Sequence, residues 1–466
     1  MTDLADLSLM EAADGIQLRK ISPIDLVDAL LVKIAKLNPV LNAYVTVLTE
    51  SALREAHVAE EEIAAGAYRG PMHGIPVSLK DLIYTAGTRT TAGSVILKDF
   101  VPDRDATVTA RLKQAGAILI AKANMLEFAY GEVHPDYGPA CNPWNHGCGT
   151  SGSSSGSGAA VAAGLDFGSL GSDTGGSIRL PAAYCGVVGL KPTYGLVSRS
   201  GVVPLAWSLD HVGPMTRTVR DNAIMLESIA GYDPADPASA RVAIPDYQQS
   251  IGVLPGGETI GVVEPEDDDG VQSDVRRETD NAVNALEDAG YTVIPVKLPV
   301  PVQAARTLLA LMYVEASTFH RPWLDSRRDE YSQNTLDRLD LGTLLPGTLY
   351  VRAQRLRRLI ADAYRELFSR IDVLASPVGP EASYRLEDAP AQPVLESGDR
   401  MKALTRFTGP FNLIGLPAIS VPCGFADNGL PVGLQLVAKQ FAEPALFQVA
   451  ELLERQISLF GRPANA

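Results

Sequence analysis

The first 65 residues carry apolar side chains at helical spacing. Ser22 and Pro23 are typical of a helix start, and apolar residues then recur at the spacing of one helix face. The Asn38-Pro39 pair is expected to end this helix, and a second helical pattern covers residues 51–65. We therefore expect residues 1–65 to form an N-terminal helical arm and residues 66–466 to form one structural unit.

Short apolar runs alternate with helical patterns along the rest of the chain. Runs typical of buried strands occur at 75–79, 117–121, 291–296, 372–375, 418–421 and 432–437. Asp105 is expected to cap the helix before the second run, residues 273–289 form another helical pattern, and a last helix is expected from Glu443. This alternation predicts an α/β fold with a largely parallel sheet covered by helices.

A glycine- and serine-rich stretch at residues 149–158 is the most unusual segment of the chain. Such a composition is typical of a flexible linker. However, residues 159–164 that follow are small and apolar, which predicts a helix buried on all sides, and a second glycine-rich stretch occupies residues 171–179. Two ordered loops flanking a buried helix favour a site at which backbone N–H groups approach a ligand.

Four kinds of chemistry could use these loops. Phosphate binding is disfavoured because neither loop matches a phosphate-binding motif. Residues 152–156 satisfy the G-x-S-x-G pattern of an α/β-hydrolase elbow, centred on Ser154, but residues 141–146 before them have the composition of a loop rather than of the required strand. The third alternative is a metal site, whose candidate ligands match no zinc spacing: His134, Cys141, His146 and Cys148.

A serine nucleophile assisted by a lysine is the fourth alternative. A serine hydroxyl is a weak nucleophile and needs a base. Lys80 follows the apolar run at 75–79, and burial there would lower its pKa toward neutrality. An ordinary surface lysine at the end of a strand remains an open interpretation of this segment taken by itself.

These segments together resemble the amidase signature family. Residues 152–164 and 171–181 resemble its signature, and residues 74–81 are similar to its lysine motif. Further similar elements are residues 122–128, residues 185–193, the Y-x-x-A-Q-x-x-R pattern at 350–357 and the C-terminal block at 412–435. The resemblance extends over roughly residues 16–457 and implies an amidase-signature fold, with α/β/α layers around a large central mixed β-sheet.

The resemblance also implies roles for individual residues. Ser177 corresponds to the nucleophile, Ser153 to a second serine that follows a cis peptide bond, and Lys80 to the base. The implied oxyanion hole consists of the backbone N–H groups of Thr174, Gly175, Gly176 and Ser177. The chain departs from the family pattern in its first loop, where Ser151 and Ser155 replace glycines, which adds hydroxyls without removing a member of the triad.

The implied activity is that of a serine hydrolase which cleaves C–N bonds by two-step acyl transfer, without a metal or an organic cofactor. We expect neutral amides as substrates, aryl acylamides foremost, with urethane and ester cleavage as further activities. The expected substrate contacts are Met125, Thr150, Ser154 and Trp207. Two or three of the residues near the motifs are expected to face the substrate and form a pocket for rings, and the candidates are Met125, Phe128, Tyr130, Trp144, Trp207 and Phe411. Glu127 and Arg357 would bind a charged group if either faced the site.

The A-type component of an amidotransferase, which takes ammonia from glutamine, is the main alternative function. Members that use glutamine commonly carry an aspartate where this chain has Leu126, and an acidic residue in the segment at 401–408, which has none here. A hydrolase of small ureido compounds and a non-catalytic scaffold with the same fold are further alternatives.

The charge and sequence composition disfavour other classes of partner. The chain has 466 residues with 55 acidic and 40 basic side chains, and its net charge of −15 disfavours nucleic acid and anionic membranes as partners. The N-terminus lacks the pattern of a signal peptide, no apolar run is long enough for a transmembrane helix, and the four cysteines form no C-x-x-C pair. We therefore expect a cytoplasmic enzyme acting on a small-molecule amide or carbamate, with homodimer formation left open.

Overall fold

One large β-sheet organises the chain. The computed structural model describes residues 4–265, 270–388 and 403–457. The strands of this region are β1 (Tyr44–Val47), β2 (Pro76–Lys80), β3 (Ile118–Ala123), β4 (Cys141–Asn142), β5 (Asn145–Gly149), β6 (Ser169–Asp173), β7 (Val188–Lys191), β8 (His211–Thr216), β9 (Thr259–Val263), β10 (Thr292–Val296), β11 (Val373–Pro377), β12 (Ala418–Phe425) and β13 (Pro431–Ala438). Eleven of them form a single sheet in the order β1-β3-β2-β6-β8-β7-β12-β13-β11-β9-β10.

Helices cover this sheet. They are α1 (Leu9–Gln17), α2 (Pro23–Leu41), α3 (Thr49–Ala64), α4 (Thr107–Gln114), α5 (Ser155–Ala163), α6 (Arg179–Cys185), α7 (Val219–Ile229), α8 (Ser273–Asp288), α9 (Pro301–Ser326), α10 (Gln333–Leu344), α11 (Gly347–Leu367), α12 (Gly409–Ile414) and α13 (Glu443–Ile457). Among the described residues, no helix has the length and apolar content needed to cross a membrane.

The sheet is mixed, as the family resemblance implies, and less parallel than the alternation of elements predicts. Strand β2 lies parallel to both β3 and β6, and β9 lies parallel to both β10 and β11. The other described pairings of the sheet are antiparallel. The six runs predicted as strands are all strands, within a few residues at their ends. Strand β1 comes from the predicted N-terminal arm and pairs with β3.

Two predicted helix boundaries are wrong because side chains make contacts outside the local sequence. Helix α2 continues through Pro39 to Leu41, and Asn42, in the left-handed conformation, caps it. Asn38 stays helical because its side chain accepts from the N–H of Tyr44 at 2.8 Å and donates to that residue's carbonyl at 3.2 Å. Asp105 does not cap α4, since its carboxylate accepts from the N–H of Ala86 at 2.7 Å.

Helix α5 confirms the prediction of a buried helix fed by an ordered loop, against that of a flexible linker. Every residue from Ser155 to Ala163 is buried. Its small side chains allow close packing against its neighbours, and a Cβ on Gly156 would overlap the carbonyl oxygen of Ala43 and lie 2.5 Å from the amide nitrogen of Asn124. The helix therefore fixes the glycine- and serine-rich loop at its N-terminus.

The topology brings the candidate chemistry to one edge of the sheet. Because β2 and β6 are parallel neighbours, their carboxyl ends lie side by side. Lys80 ends β2 and Asp173 ends β6, while the loops entering α5 and α6 lie above them. Three segments far apart in sequence, the end of β2, the loop before α5 and the stretch from the end of β6 into α6, thus meet at this edge.

Candidate active site

Lys80 is a fully buried amine surrounded by hydroxyl groups. Its Nζ donates to Ser153 Oγ at 2.7 Å, to Ser172 Oγ at 2.9 Å and to Ser154 Oγ at 3.0 Å. Burial lowers the pKa of Lys80 to about 7, against the opposing negative charges of Asp173 and Asp210. A large fraction of this lysine is therefore neutral near neutral pH, when it is able to accept a proton.

Ser153 and Ser177 line the same cavity. The peptide bond between Gly152 and Ser153 is cis, as the family resemblance implies, and Ser151 before it has a positive φ of 59°. The N–H of Ser154 donates to the carbonyl of Ser177 at 3.2 Å, which ties the two loops together. In this conformation the hydroxyls of Ser153 and Ser177 do not hydrogen-bond to each other, although both residues line the cavity.

Asp173 organises the second loop. Its carboxylate accepts from the N–H groups of Gly176 at 2.7 Å and Ile178 at 3.1 Å. Arg179 pairs with it through two hydrogen bonds, from Nε at 3.0 Å and from Nη2 at 2.9 Å. Burial by itself raises the pKa of Asp173, but the charge of Arg179 and these hydrogen bonds hold that pKa well below its ordinary value. A permanent carboxylate thus fixes the backbone around Ser177.

The hydrogen bonds to Asp173 leave only some of the four predicted oxyanion donors available to a ligand. The N–H of Gly176 already donates to Asp173. The N–H groups of Thr174, Gly175 and Ser177 have no acceptor among the described residues, and all three residues line the cavity. Thr174 is further held by a hydrogen bond of 2.6 Å from its hydroxyl to Asp210, whose pKa burial raises to about 6. Three backbone donors are therefore available to a ligand.

The cavity has a volume of about 380 Å³ and a mixed lining. Its apolar wall includes Leu126, Ala129, Val133, Leu180, Leu205, Met312, Leu386 and Leu404. Its polar and charged lining residues beyond the two loops are Tyr130, Glu132, Asn334, Arg338, Tyr384 and Thr405. The volume suits a small ligand, and the charged side chains distinguish it from a wholly apolar pocket.

None of the four predicted substrate contacts is among the residues that line this cavity. Met125, Thr150 and Ser154 are buried and do not line the cavity, and Ser154 instead faces Lys80. Trp207 is 43 % exposed and lines a neighbouring cavity beside Asp210 and His211. Of the six residues predicted to suit a pocket for rings, Tyr130 alone lines the cavity that holds Ser177.

The two charged residues singled out in the sequence do not face the site. Glu127 is buried, with hydrogen bonds from Ser94 Oγ at 2.7 Å and from the N–H of Ser332 at 2.9 Å. Arg357 donates to the backbone carbonyls of Leu413 and Ser208. The charged side chains that line the cavity are instead those of Glu132 and Arg338, two residues that the sequence analysis did not single out. The one available signal was weak: Asn334 and Arg338 are four residues apart, so both lie on one face of a helix.

The structure also shows where the residues of two alternative sites lie, the G-x-S-x-G elbow and the metal site. Ser154, the centre of the G-x-S-x-G pattern, is buried and follows the short hairpin of β4 and β5, where a loop was predicted. That hairpin is not part of the central sheet. Within the described residues, no group of three or more His, Cys, Asp or Glu side chains is placed to hold a metal ion.

Comparison with known proteins decides the family. The family model described as amidase matches residues 25–447. The chain belongs to the amidase family. A relative from Geobacter sp. (strain M21), the A-type component of a glutamyl-tRNA(Gln) amidotransferase, is 39 % identical over 97 % of this chain and 98 % of its own length.

Solved structures of related proteins share the fold. A chain of a vestigial protein complex, connected with the evolutionary origins of an s-triazine catabolic enzyme, has a TM-score of 0.90 and 32 % identity, covering 96 % of this chain and 98 % of that one. Native peptide amidase from Stenotrophomonas maltophilia has a TM-score of 0.85 and 30 % identity, with 98 % of both chains covered. The predicted amidase-signature fold is thereby confirmed.

Proposed function

We propose that this amidase-family chain cleaves the C–N bond of a small amide through an acyl-enzyme on Ser177. The observation that carries the proposal is the buried Lys80 amine, which lies 2.7 Å from Oγ of Ser153, a residue that lines the same cavity as Ser177. A lysine with a pKa of about 7 is a competent general base near neutral pH. No metal or organic cofactor is needed for this chemistry.

The proposed reaction has two steps. Neutral Lys80 accepts the proton of Ser153, Ser153 accepts that of Ser177, and Ser177 Oγ attacks the carbonyl carbon. The oxygen that becomes negative is held by the free N–H groups at 174, 175 and 177, and a donor of this kind contributes about 10²–10³ in rate. The proton returns through Ser153 to the leaving amine, the C–N bond breaks, and water then releases the acid by the same route.

The comparisons favour glutamine-type amides over the neutral aryl amides predicted from the sequence. The Geobacter relative is named as a component of glutamyl-tRNA(Gln) amidotransferase, and it aligns with this chain nearly end to end. An amino-acid amide carries both an ammonium and a carboxylate, and burying either without a partner is costly. Glu132 and Arg338 offer one group of each sign within the cavity. We therefore propose a glutamine-type carboxamide as the substrate, and for the chain the role of the A-type component of an amidotransferase.

A free-standing hydrolase of neutral amides, carbamates or ureido compounds is the second candidate. Leu126 favours it, because this apolar side chain lines the cavity where glutamine users are expected to carry an aspartate. The segment at 401–408 is without an acidic residue, although residues 401 and 402 lie outside the described part of the chain. The structural likeness to a peptide amidase supports the same candidate.

Active-site labelling tests the chemistry common to both candidates. A fluorophosphonate probe should form an adduct on Ser177, identified by mass spectrometry of the digested protein. Ser177→Ala should lose both the label and the turnover, whereas Ser154→Ala should still be labelled at residue 177. An adduct on Ser154 would instead support the G-x-S-x-G interpretation.

A substrate comparison separates the two candidates. We expect kcat/KM for ammonia release from glutamine to exceed that for a neutral anilide and for an aryl carbamate by at least about tenfold. The opposite order, with the anilide or carbamate tenfold better, would assign the chain to the free-standing neutral hydrolases.

A further inference from the structure

Ser151 lines the catalytic cavity at a position where the family pattern has a glycine. Its φ of 59° lies in the left-handed region, and it is the only non-glycine residue with a positive φ in the two loops at 149–158 and 171–179. A glycine adopts this conformation without strain, whereas a residue that carries a Cβ does not. The chain thus keeps a side chain in the cavity where its backbone favours glycine.

The hydroxyl of Ser151 makes no hydrogen bond with any other residue that the structure describes. Only its carbonyl is engaged, because the hydroxyl of Thr150 donates to it at 3.2 Å. Ser155, the other serine that replaces a family glycine, is buried outside the cavity, and its hydroxyl donates to the carbonyl of Asn124 at 3.4 Å. Of these two added hydroxyls, that of Ser151 is therefore the one available to a ligand.

The backbone on both sides of Ser151 is fixed. Gly149 donates its N–H to the carbonyl of Tyr384 at 2.9 Å. Gly152 packs on Leu126, since a Cβ on this glycine would lie 2.6 Å from Cδ1 of that side chain. A residue held in this way is positioned before a substrate binds, which lowers the entropic cost of binding.

The place of Ser151 in the chain puts it on the leaving-group side of the scissile bond. In the proposed reaction, Ser153 returns the proton to the leaving nitrogen, and Ser151 lies two residues before it on the same loop. The free backbone N–H groups at 174, 175 and 177 belong to the other loop and face the carbonyl oxygen. They are donors, so they cannot accept a hydrogen bond from the N–H that the leaving nitrogen also carries.

We propose that the hydroxyl of Ser151 accepts a hydrogen bond from the N–H of the leaving group, so that the enzyme favours amides over esters of the same acid. An N–H left unpaired in a desolvated site is costly, whereas the leaving oxygen of an ester carries no hydrogen and needs no such acceptor. This inference rests on the proposed function and deepens it. It names a residue that selects amides with an N–H, a group which glutamine and a neutral anilide both have.

Pairs of an amide and an ester with the same acyl group test the proposal. Glutamine pairs with glutamate γ-methyl ester, and acetanilide pairs with phenyl acetate. Because each pair forms the same acyl-enzyme, the ratio of kcat/KM for the amide to kcat/KM for the ester isolates the leaving group. We expect Ser151→Ala to lower kcat/KM for the amide about 10- to 100-fold, as an unpaired donor implies, and to leave that for the ester within about twofold.

Ser151→Gly separates the effect of the hydroxyl from that of the backbone. It removes the hydroxyl together with the Cβ at a positive φ, so Tm should stay the same or rise. We expect Ser151→Gly to lose the preference for the amide as Ser151→Ala does. A wild-type ratio in Ser151→Gly with a lowered ratio in Ser151→Ala would assign the effect to backbone strain and overturn the proposal.

The matched control is Ser155→Ala, which removes the other added hydroxyl of the same loop from outside the cavity and should leave the amide-to-ester ratio unchanged. The fluorophosphonate probe distinguishes the two possible failures, because its leaving fluoride carries no N–H. Ser151→Ala should therefore be labelled at Ser177 as fast as the wild type. Normal labelling with an unchanged ratio, or an equal loss on amide and ester, overturns this inference alone. A wild type without the label at Ser177 and without turnover of any of the four substrates would overturn the proposed function, and this inference with it.

Discussion

Three buried lysines differ in their hydrogen-bond partners, and these partners determine whether the amine can act as a base. Lys122, next to Lys80 in the sheet, lies 3.5 Å from Asp81 and donates to the carbonyl of Ile83 at 2.6 Å. Lys191 donates to the carbonyls of Pro192 and Leu416. Burial lowers the pKa of both, as it does for Lys80. Lys122 also donates to the hydroxyl of Thr90 at 2.9 Å. Lys80 differs because all its hydrogen-bond partners are hydroxyls and one of them, Ser153, lines the same cavity as Ser177, so we assign the role of base to it alone among these three.

The first prediction concerns this base. Lys80→Met should lower kcat by about 10²–10⁴, the usual contribution of a general base. In the wild type the neutral amine is the active form, so kcat/KM should rise as pH increases through about 7 and then level off. A pH–rate profile of the wild type, together with single-pH kinetics of the variant, measures both effects.

Lys122→Met is the matched control for Lys80→Met. It also removes a buried lysine, and it leaves Asp81 without its cation, so Tm should fall while the midpoint of the pH–rate profile stays near 7. Near-wild-type turnover by a folded Lys80→Met protein, or a shifted midpoint in the pH–rate profile of Lys122→Met, would contradict the role of Lys80.

The elements around the site depend on close backbone approach. Helix α5 contains Gly156 and Gly158, and no larger residue occurs in it than valine. Gly156 donates its N–H to the carbonyl of Asn124 at 2.9 Å, which couples α5 to the end of β3. A glycine is required here by the space available rather than by its φ angle.

The second prediction compares two glycines in helices. Gly156→Ala should destabilise the protein by at least about 2 kcal/mol, because its Cβ would meet backbone atoms of Ala43 and Asn124 that no rotamer change can move. Gly347→Ala, at the start of α11 with nothing within 4 Å of the new Cβ, should be neutral or slightly stabilising. Urea unfolding of the two variants provides the measurement, and equal effects would show that packing around α5 is looser than described.

Local sequence patterns predicted the elements and the motif residues, and missed what depends on distant contacts. Lys80, Ser153 and Ser177 belong to motifs in which neighbouring residues signal each other, so their places could be predicted together. The end of α2 could not be predicted from local sequence, because Asn38 is hydrogen-bonded to Tyr44 in the following strand. Asn334 and Arg338 lie more than 150 positions after Ser177, on a helix without any motif, so their approach to the cavity is set by the packing of α10 alone.

The same reasoning applies to the residues expected near the cavity. Of the residues near the motifs that suit a pocket for rings, only two or three were expected to face the substrate, and most of them do fill the core. Phe128 stacks on Trp323 at 5.4 Å, and Phe411 packs edge-on against Tyr364 at 5.7 Å. Proximity in sequence to a motif therefore identified the neighbourhood of the site, but not the direction in which each side chain points.

Across the whole molecule, acidic groups dominate the charge and several of them are buried. The net charge is −15. Burial raises the pKa of Asp166 to about 7 and that of Asp210 to about 6. Such groups bind protons more strongly in the folded than in the unfolded chain, so they make the protein less stable as pH rises above their ordinary pKa. Glu454 on the C-terminal helix is a third carboxyl group whose pKa is raised by burial. It does not line the cavity that holds Ser177, so it can be substituted without changing that site.

Glu454 links the C-terminal helix α13 to helix α7. Its Oε1 accepts from the N–H of Val219 at 2.8 Å and so holds α13 to the first residue of α7. Burial raises the pKa of Glu454 to about 8. The negative charges of Asp221 and Glu451 raise this pKa further, whereas the hydrogen bond from Val219 lowers it. Between the ordinary carboxyl pKa of about 4.3 and this value, the folded state holds a proton that the unfolded state has lost.

The third prediction follows from that proton. Glu454→Gln keeps an oxygen to accept from Val219 but cannot ionise, so it should match the wild type near pH 5 and be the more stable protein near pH 9. The difference in the free energy of unfolding should be on the order of 1 kcal/mol, since Glu454 is partly exposed and solvent screens its charge.

Thermal unfolding at both pH values measures this difference, with Glu366→Gln on an exposed face of α11 as a control that leaves the pH dependence unchanged. Labelling of Ser177 should be the same in all three proteins, because Glu454 lies in a different cavity. Parallel stability curves for Glu454→Gln and the wild type would show that this carboxyl is already ionised in the folded protein at neutral pH.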